Sequence, residues 1–399
     1  MSSTVHTASR LHLSHLSPEV VQSDIRAMSV ECDAVHGINL AQGICDTPIP
    51  AVVLDAAHQA IAEGRNTYSR LDGITPLRAA LARKFYEYNN LDYDPAREIL
   101  VTSGATGAFD AAVKALLNPG DEVLLFEPFY GYHLNTLLAV RAVPVAVPLS
   151  GDDFDLDRDA LVAAITPRTR AVLINTPSNP AGKVFSRPEL EFIAALATEH
   201  DLFVFTDEIY EYFLYDGIKH ISPASLPGMR ERTITISGFS KVFSVTGWRV
   251  GYLAADARWT PSMGYFQDLT YICAPTPFQF ACTAGLDQLG SEYYTQLAAD
   301  YHHKRDQTLT ALRAAGLKPS VPKGAYYILA DVSSLPGRTA KEKAMFLLQK
   351  TGVAAVPGGS FFTKDGPNAR RAQNMLRFCF AKTPADLNRA CEALANLRL

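Results

Sequence analysis

An α/β fold, built on a mainly parallel sheet flanked by helices and followed by a smaller α+β region, is predicted by three observations. Between residues 99 and 236, short apolar runs alternate with amphipathic helical stretches, the pattern of strands joined by helical crossovers. The runs are apolar almost throughout, as expected of strands covered on both faces. Beyond Trp259 the pattern lengthens into helical periods over about 278–315 and then into β-rich segments, so a second packing unit follows.

With 399 residues, 48% of them hydrophobic, the chain has enough apolar surface for a large core and room for two domains. A formal net charge of −4, with no block of like charges, leaves no footprint for nucleic acid or an anionic membrane, and makes small-molecule chemistry the expectation. No apolar run reaches the length of a membrane span. The six cysteines show no C-x-x-C spacing, which suits a reducing, cytoplasmic location. The first eighteen residues hold one arginine and no apolar h-region, which argues against a secretory signal or transit peptide. No H-E-x-x-H occurs among the ten histidines, and no metal site is expected.

Taken in order, residues 1 to about 30 read as a polar arm with an amphipathic helix over 19–30, Pro18 standing at its start. Residues 38–43 form a short strand ending in Gly43, and the turn-rich 46–50 opens the next helix. Tyr68 lies in a loop before a helix over 76–88. Strands follow over 99–102, 122–126, 143–147, 171–175, 203–206 and 233–236, with helices over 108–117, 131–140, 156–165 and 186–200 between them. Ligands of such a sheet belong at the carboxyl ends of its strands, and chemically distinctive residues collect there.

Ser103-Gly104-Ala105-Thr106-Gly107 sits between a strand and a helix, where free N–H groups and the positive helix end favour a phosphate. Tyr130 follows the next strand. Asn179 belongs to a turn dense in proline and glycine after the strand over 171–175. Asp207 closes a strand of hydrophobes with a carboxylate that needs either a cationic partner or a role as helix N-cap. The β-branched run over 233–236 delivers Lys241 into the interior, where desolvation favours the neutral amine that can form an imine. Arg377 interrupts an apolar strand, and a carboxylate ligand or a structural ion pair would satisfy it.

Ser237-Gly238-Phe239-Ser240-Lys241, followed by Gly247-Trp248-Arg249 and Gly251, resembles the lysine signature of fold type I pyridoxal-phosphate aminotransferases of class I/II. The segments 38–43, 175–184 and 377–380 are similar to the kynurenine, glutamine and methionine aminotransferase branch. The resemblance runs from about Ile38 to the C-terminus and implies a seven-stranded, mainly parallel sheet. It also implies an arm and part of a small domain over 1–46, a large domain over 47–280 and a small domain over 281–399. By the same resemblance Lys241 forms the aldimine with pyridoxal 5′-phosphate and shuttles the proton. Arg249 and the Gly104, Ala105 and Thr106 turn bind the phosphate, Tyr130 covers the ring, and Asp207 pairs with its nitrogen. Asn179 and Tyr210 contact its phenolic oxygen, while Gly43, Asn179 and Arg377 face the substrate carboxylate. Relatives often carry serine where this chain has Gly238, so the phosphate hydroxyl comes from Ser237 or Ser240, with Ser240 preferred. Tyr68 would reach the phosphate of a neighbouring subunit in a homodimer. Arg70, two residues along the same loop, is either a solvated surface charge or a cation that approaches that pocket and favours a dicarboxylate acceptor. Side-chain specificity is expected in loops near 15–50, 68–72 and 265–275. The implied reaction moves an amino group from an L-amino acid to a 2-oxo acid. β-Elimination, a biosynthetic oxidation or cyclisation, and a non-enzymatic sensing regulator are the alternatives.

Overall fold

The computed structural model describes residues 12–20 and 24–398, and its organising element is one large sheet. From edge to edge the strands run Ile99–Thr102, Gly251–Ala254, Thr233–Gly238, Phe203–Asp207, Thr169–Asn175, Glu122–Glu127 and Val143–Ser150, with a two-residue strand, Asp155–Leu156, added at the far edge. The central pairings are parallel. Gly251–Ala254 runs antiparallel to both neighbours. It was not among the strands expected from local pattern, because four residues following a turn carry too little periodicity and pairing with two buried strands decides their conformation.

Strict alternation explains why the strands read as continuous apolar runs. Val123 and Leu125 join the core that holds Phe109 and Val113, whereas Leu124 and Phe126 join the core that holds Leu190 and Ile193. Both faces are therefore dry, and each strand needs hydrophobes at every position. The crossovers are the helices Gly104–Leu116, Gly131–Ala139, Arg158–Ala163 and Arg187–Glu199. The last of these begins with a capping box in which Ser186 and Glu189 satisfy each other's backbone donors.

The first described helix is Asp24–Ala34, displaced toward the C-terminus from the expected 19–30. Residues 1–11 and 21–23, which hold much of the expected arm, lie outside the described residues. The strand expected over 38–43 is only Ile38–Asn39, paired in parallel with Val353–Ala354. It stops there because Asn39 Oδ1 accepts from the N–H groups of Ala41 and Gln42, each at 3.0 Å, and bends the chain. The helical stretch expected over 278–315 is two helices, Thr276–Gln288 and Ser291–Ala314. A second, antiparallel sheet is ordered Lys318–Pro319, Tyr327–Asp331, Met375–Cys379 and Val356–Pro357. Among the described residues no helix is long and apolar enough to cross a membrane.

Candidate active site

The carboxyl ends of the central strands open onto a cavity of about 410 Å³. Of the residues singled out in the sequence, Gly43, Ala105, Thr106, Tyr130, Asn179, Asp207, Tyr210, Ser240, Lys241, Arg249 and Arg377 line it. Gly104 and Tyr68 do not: Gly104 lies against Arg249, and Tyr68 is 77% exposed, on the surface of this subunit.

At one end of the cavity, helix Gly104–Leu116 presents its N-terminus beside Arg249. Gly104 has φ +72°, and a Cβ on it would lie 2.5 Å from Arg249 Nη2, so glycine is required both for the turn and for the guanidinium. Arg249 bonds only to the Thr246 carbonyl, through Nη1 at 3.0 Å, and no carboxylate pairs with it among the described residues. Helix N-terminal N–H groups and a guanidinium without a carboxylate partner converge there, an arrangement that suits an anion. Ser240 lines it. Ser237 instead points at Glu211 Oε1, 3.2 Å away, which favours Ser240 of the two hydroxyls. Gly238 sits where a Cβ would be 3.0 Å from Gly251 Cα, so the departure from serine accompanies a close strand approach.

Lys241 sits in a short helical turn, Phe239–Val242, directly after its strand. Its Nζ donates to the Gly43 carbonyl at 3.1 Å. Burial lowers its pKa and outweighs the opposing effect of Cys45 and Cys379, while Arg249 and Arg377 add smaller pushes in the same direction as burial. Across the cavity, the Asp207 carboxylate accepts from Ile209 N at 3.2 Å and meets His133 Nε2 at 3.0 Å. Because a carboxylate only accepts, this contact assigns the proton to His133 Nε2.

Arg377 is 1% exposed and has no carboxylate partner among the described residues. Its Nη1 donates to Asn179 Oδ1 at 2.8 Å and its Nη2 to the Ala41 carbonyl at 2.6 Å, while Nε has no partner. A buried guanidinium with an orphaned donor is costly unless an anion completes it. Tyr210 is buried with its hydroxyl 3.0 Å from that of Tyr327, and burial, with Tyr327 and Asp207 nearby, raises its pKa and keeps the phenol neutral. Tyr130 stands edge-on to His133, with ring centroids 5.3 Å apart.

Among the cavity residues not picked out by sequence reasoning, His133, Tyr327 and Arg26 carry polar or charged groups into it. His133 is the partner of Asp207; the available signal was a histidine in the first turn of a helix that follows a strand end. Tyr327 packs its ring 4.4 Å from the Arg377 guanidinium. Its hydroxyl would be 2.0 Å from a Cβ on residue 43, which is why Gly43 is glycine. Arg26 lines the cavity from helix Asp24–Ala34. Arg70, by contrast, is held by Asp72 through two hydrogen bonds of 3.0 Å and does not line the cavity.

A family model described as aminotransferase class I and II matches residues 35–394. Kynurenine--oxoglutarate transaminase 1 of Homo sapiens is 35% identical over 388 residues, covering 90% of this chain and 91% of that protein. The probable N-succinyldiaminopimelate aminotransferase DapC of Mycobacterium tuberculosis is 38% identical over 376 residues, covering 93% and 94%. The solved N-succinyldiaminopimelate aminotransferase from Mycobacterium tuberculosis superposes with a TM-score of 0.92 at 37% identity, over 97% of this chain and all of that one. YbdL from Escherichia coli, described as having a methionine aminotransferase function, gives 0.91 at 30% identity, over 97% and 100%.

Proposed function

Since the chain belongs to the aminotransferase class I and II family and is a transaminase, we propose that it uses pyridoxal 5′-phosphate to move the amino group of an aromatic, methionine-like or glutamine-like L-amino acid to a 2-oxo acid. The observation that carries the donor class is the wall of the cavity, where Ile25, Ile44, Tyr132 and Tyr327 offer an apolar and aromatic surface. A panel of amino donors against pyruvate and 2-oxoglutarate tests it. Faster turnover of small polar donors than of aromatic ones would refute the donor class, and release of ammonia with pyruvate from cysteine conjugates would reveal elimination instead.

The residues present fit the cofactor. Arg249, which has no carboxylate partner among the described residues, the helix N-terminus at Gly104 and the Ser240 hydroxyl suit a phosphate, and the buried Asp207 carboxylate suits a cationic ring nitrogen. When bound, the cofactor supplies the electron sink for the charge left at the substrate Cα. The chain's own residues do the rest. Arg249, Ser240 and the N–H groups of Ala105 and Thr106 would hold the phosphate, and Tyr130 would cover the ring. Asn179, whose Oδ1 is taken by Arg377, keeps Nδ2 free to donate alongside the Tyr210 hydroxyl. Arg377 would fix the substrate carboxylate against Gly43 and so orient Cα. Lys241 Nζ, whose pKa burial lowers, would accept the Cα proton and return it.

The same reading extends to assembly and place. Tyr68, Tyr265 and Leu269 are 77%, 64% and 82% exposed on a loop and helix tied together by Gln267 Nε2 and the Leu71 carbonyl, and such an apolar face suits a homodimer. Six unpaired cysteines suit a reducing cytoplasm, which cell fractionation would test. The domain division over 1–46, 47–280 and 281–399 is proposed with its second boundary moved to 289–290, because residue 280 lies inside the continuous helix Thr276–Gln288.

A further inference from the structure

One buried carboxylate beside the site has no cation to answer. Glu127 ends the strand Glu122–Glu127 and is 1% exposed, and among the described residues no lysine, arginine or histidine pairs with it. Its partners are neutral donors from a single loop. Oε1 accepts from Thr363 N at 2.5 Å and from Thr363 Oγ1 at 2.6 Å, and Oε2 accepts from Asn368 Nδ2 at 3.0 Å. Hydrogen bonds to an ionised acceptor are about twice as strong as neutral ones, so a carboxylate here grips the loop harder than an amide would.

That loop leads back to the cavity. It follows the strand Val356–Pro357 of the antiparallel sheet and begins with the turn Gly358–Phe361. The Phe361 carbonyl accepts from Phe129 N at 2.9 Å, two residues beyond Glu127, and Ser360 Oγ donates to Asp24 Oδ2 at 2.8 Å. Two rings pack against the Arg377 guanidinium, Tyr327 at 4.4 Å and Phe361 at 4.9 Å. Tyr327 is placed by the sheet itself, because its strand pairs with that of Arg377. Phe361 lies outside any strand, and its place depends on where the loop is fastened.

We propose that Glu127 is a positioning residue for carboxylate recognition: by fastening residues 358–368 to the end of the large sheet, it holds Phe361 against Arg377 and fixes the plane in which the guanidinium meets the substrate. This rests on the reading of Arg377 as the ligand of the α-carboxylate. A guanidinium binds a carboxylate in one plane, through two parallel donors, and a ring packed against it restricts that plane. Nη1 and Nη2 are already tied to Asn179 and Ala41, so a small tilt misdirects the donors that remain.

The test measures, by calorimetry on the holoenzyme, the affinities of 3-phenylpropionate and of its neutral amide. Wild type should prefer the carboxylate, and Arg377→Ala should lose that preference. Glu127→Ala should bind 3-phenylpropionate about tenfold more weakly while the amide stays within about twofold. Phe361→Ala should show the same selective loss, and the double variant no more than either single one, because both act through one contact. Glu127→Gln, facing an Asn368 amide that can turn to present its oxygen, should recover most of the affinity. Thr363→Val removes one of the three bonds and should lose about two- to threefold, and it decides the matter should Glu127→Ala fail to fold. Equal weakening of both probes, an unchanged preference in Glu127→Ala, or additive losses in the double variant would overturn the proposal. If wild type shows no preference and Arg377→Ala changes nothing, the reading of Arg377 fails and the proposal with it. A preference lost in Arg377→Ala yet kept in Glu127→Ala refutes Glu127 alone.

Discussion

Burial at the end of a strand disfavours an ammonium relative to water, and at Lys241 two nearby guanidinium groups act in the same direction. The folded-state pKa lies below the ordinary 10.5, so near neutral pH the unfolded chain binds the proton more tightly than the folded one. Stability is therefore penalised below the folded pKa and recovers as pH rises toward 10.5. Cofactor-free Lys241→Met should melt higher than wild type at pH 7, with the gap closing above pH 10.5; a lower melting temperature at pH 7 would contradict this. If Lys241 is the covalent anchor and proton acceptor proposed above, the same substitution should abolish turnover and the retention of cofactor mass on the protein after borohydride treatment. Asp207→Asn should still bind cofactor but lose kcat by orders of magnitude, and an unchanged substrate Cα-deuterium isotope effect on kcat would reject that role. Gly43→Ala places a methyl against the Tyr327 hydroxyl and should cost about 1–3 kcal/mol in stability. Tyr327→Phe in that background should restore part of it, as read by urea denaturation.

Behind the site, helix Thr75–Asn89 is tied to the segment that follows strand Phe203–Asp207. Lys84 Nζ lies 2.6 Å from both carboxylate oxygens of Glu211, which also accepts from Asn89 at 3.2 Å. Burial alone would raise the Glu211 pKa, but the Lys84 ammonium, His220 and these hydrogen bonds outweigh it and hold the pKa below the ordinary 4.5. The stabilisation is complete above that value and is lost as pH falls through the lower folded pKa. Lys84→Met would leave a buried carboxylate unpaired and should destabilise by about 3–5 kcal/mol, whereas Lys84→Met with Glu211→Leu should recover most of it. Such pairings mark the limit of what the sequence discloses. Strands and their polar end residues were legible because burial on both faces writes a local pattern, and Asp207, Lys241 and Arg377 stood out as charges interrupting it. Lys84 and Glu211 are 127 positions apart, and His133 and Asp207 are 74 apart, so neither side chain announces its partner. Arg70 is an exposed charge paired with Asp72 two residues away, a local pairing of the kind that a solvated surface arginine makes.

At the level of the whole molecule, the exposed face of Tyr68, Tyr265 and Leu269 should be covered by a second copy. Sedimentation should give a dimer for wild type and a shift toward monomer, with reduced turnover, for Tyr265→Asp combined with Leu269→Asp. A wild-type monomer at micromolar concentration would remove the basis for Tyr68 acting across subunits. The hydrogen bond from Arg377 Nη2 to the Ala41 carbonyl joins residues 336 positions apart. On the ribosome those residues emerge roughly twenty seconds to a minute apart, at about 5–20 residues per second. Until strand Met375–Cys379 leaves the exit tunnel, the segment carrying Ala41 and Gly43 has no partner for that bond, and the nascent chain should be open to proteases and chaperones there. Catalytic competence is then among the last properties the chain acquires, and stalling translation just before Met375 should leave a product with most of its large sheet but a protease-sensitive 39–46 segment.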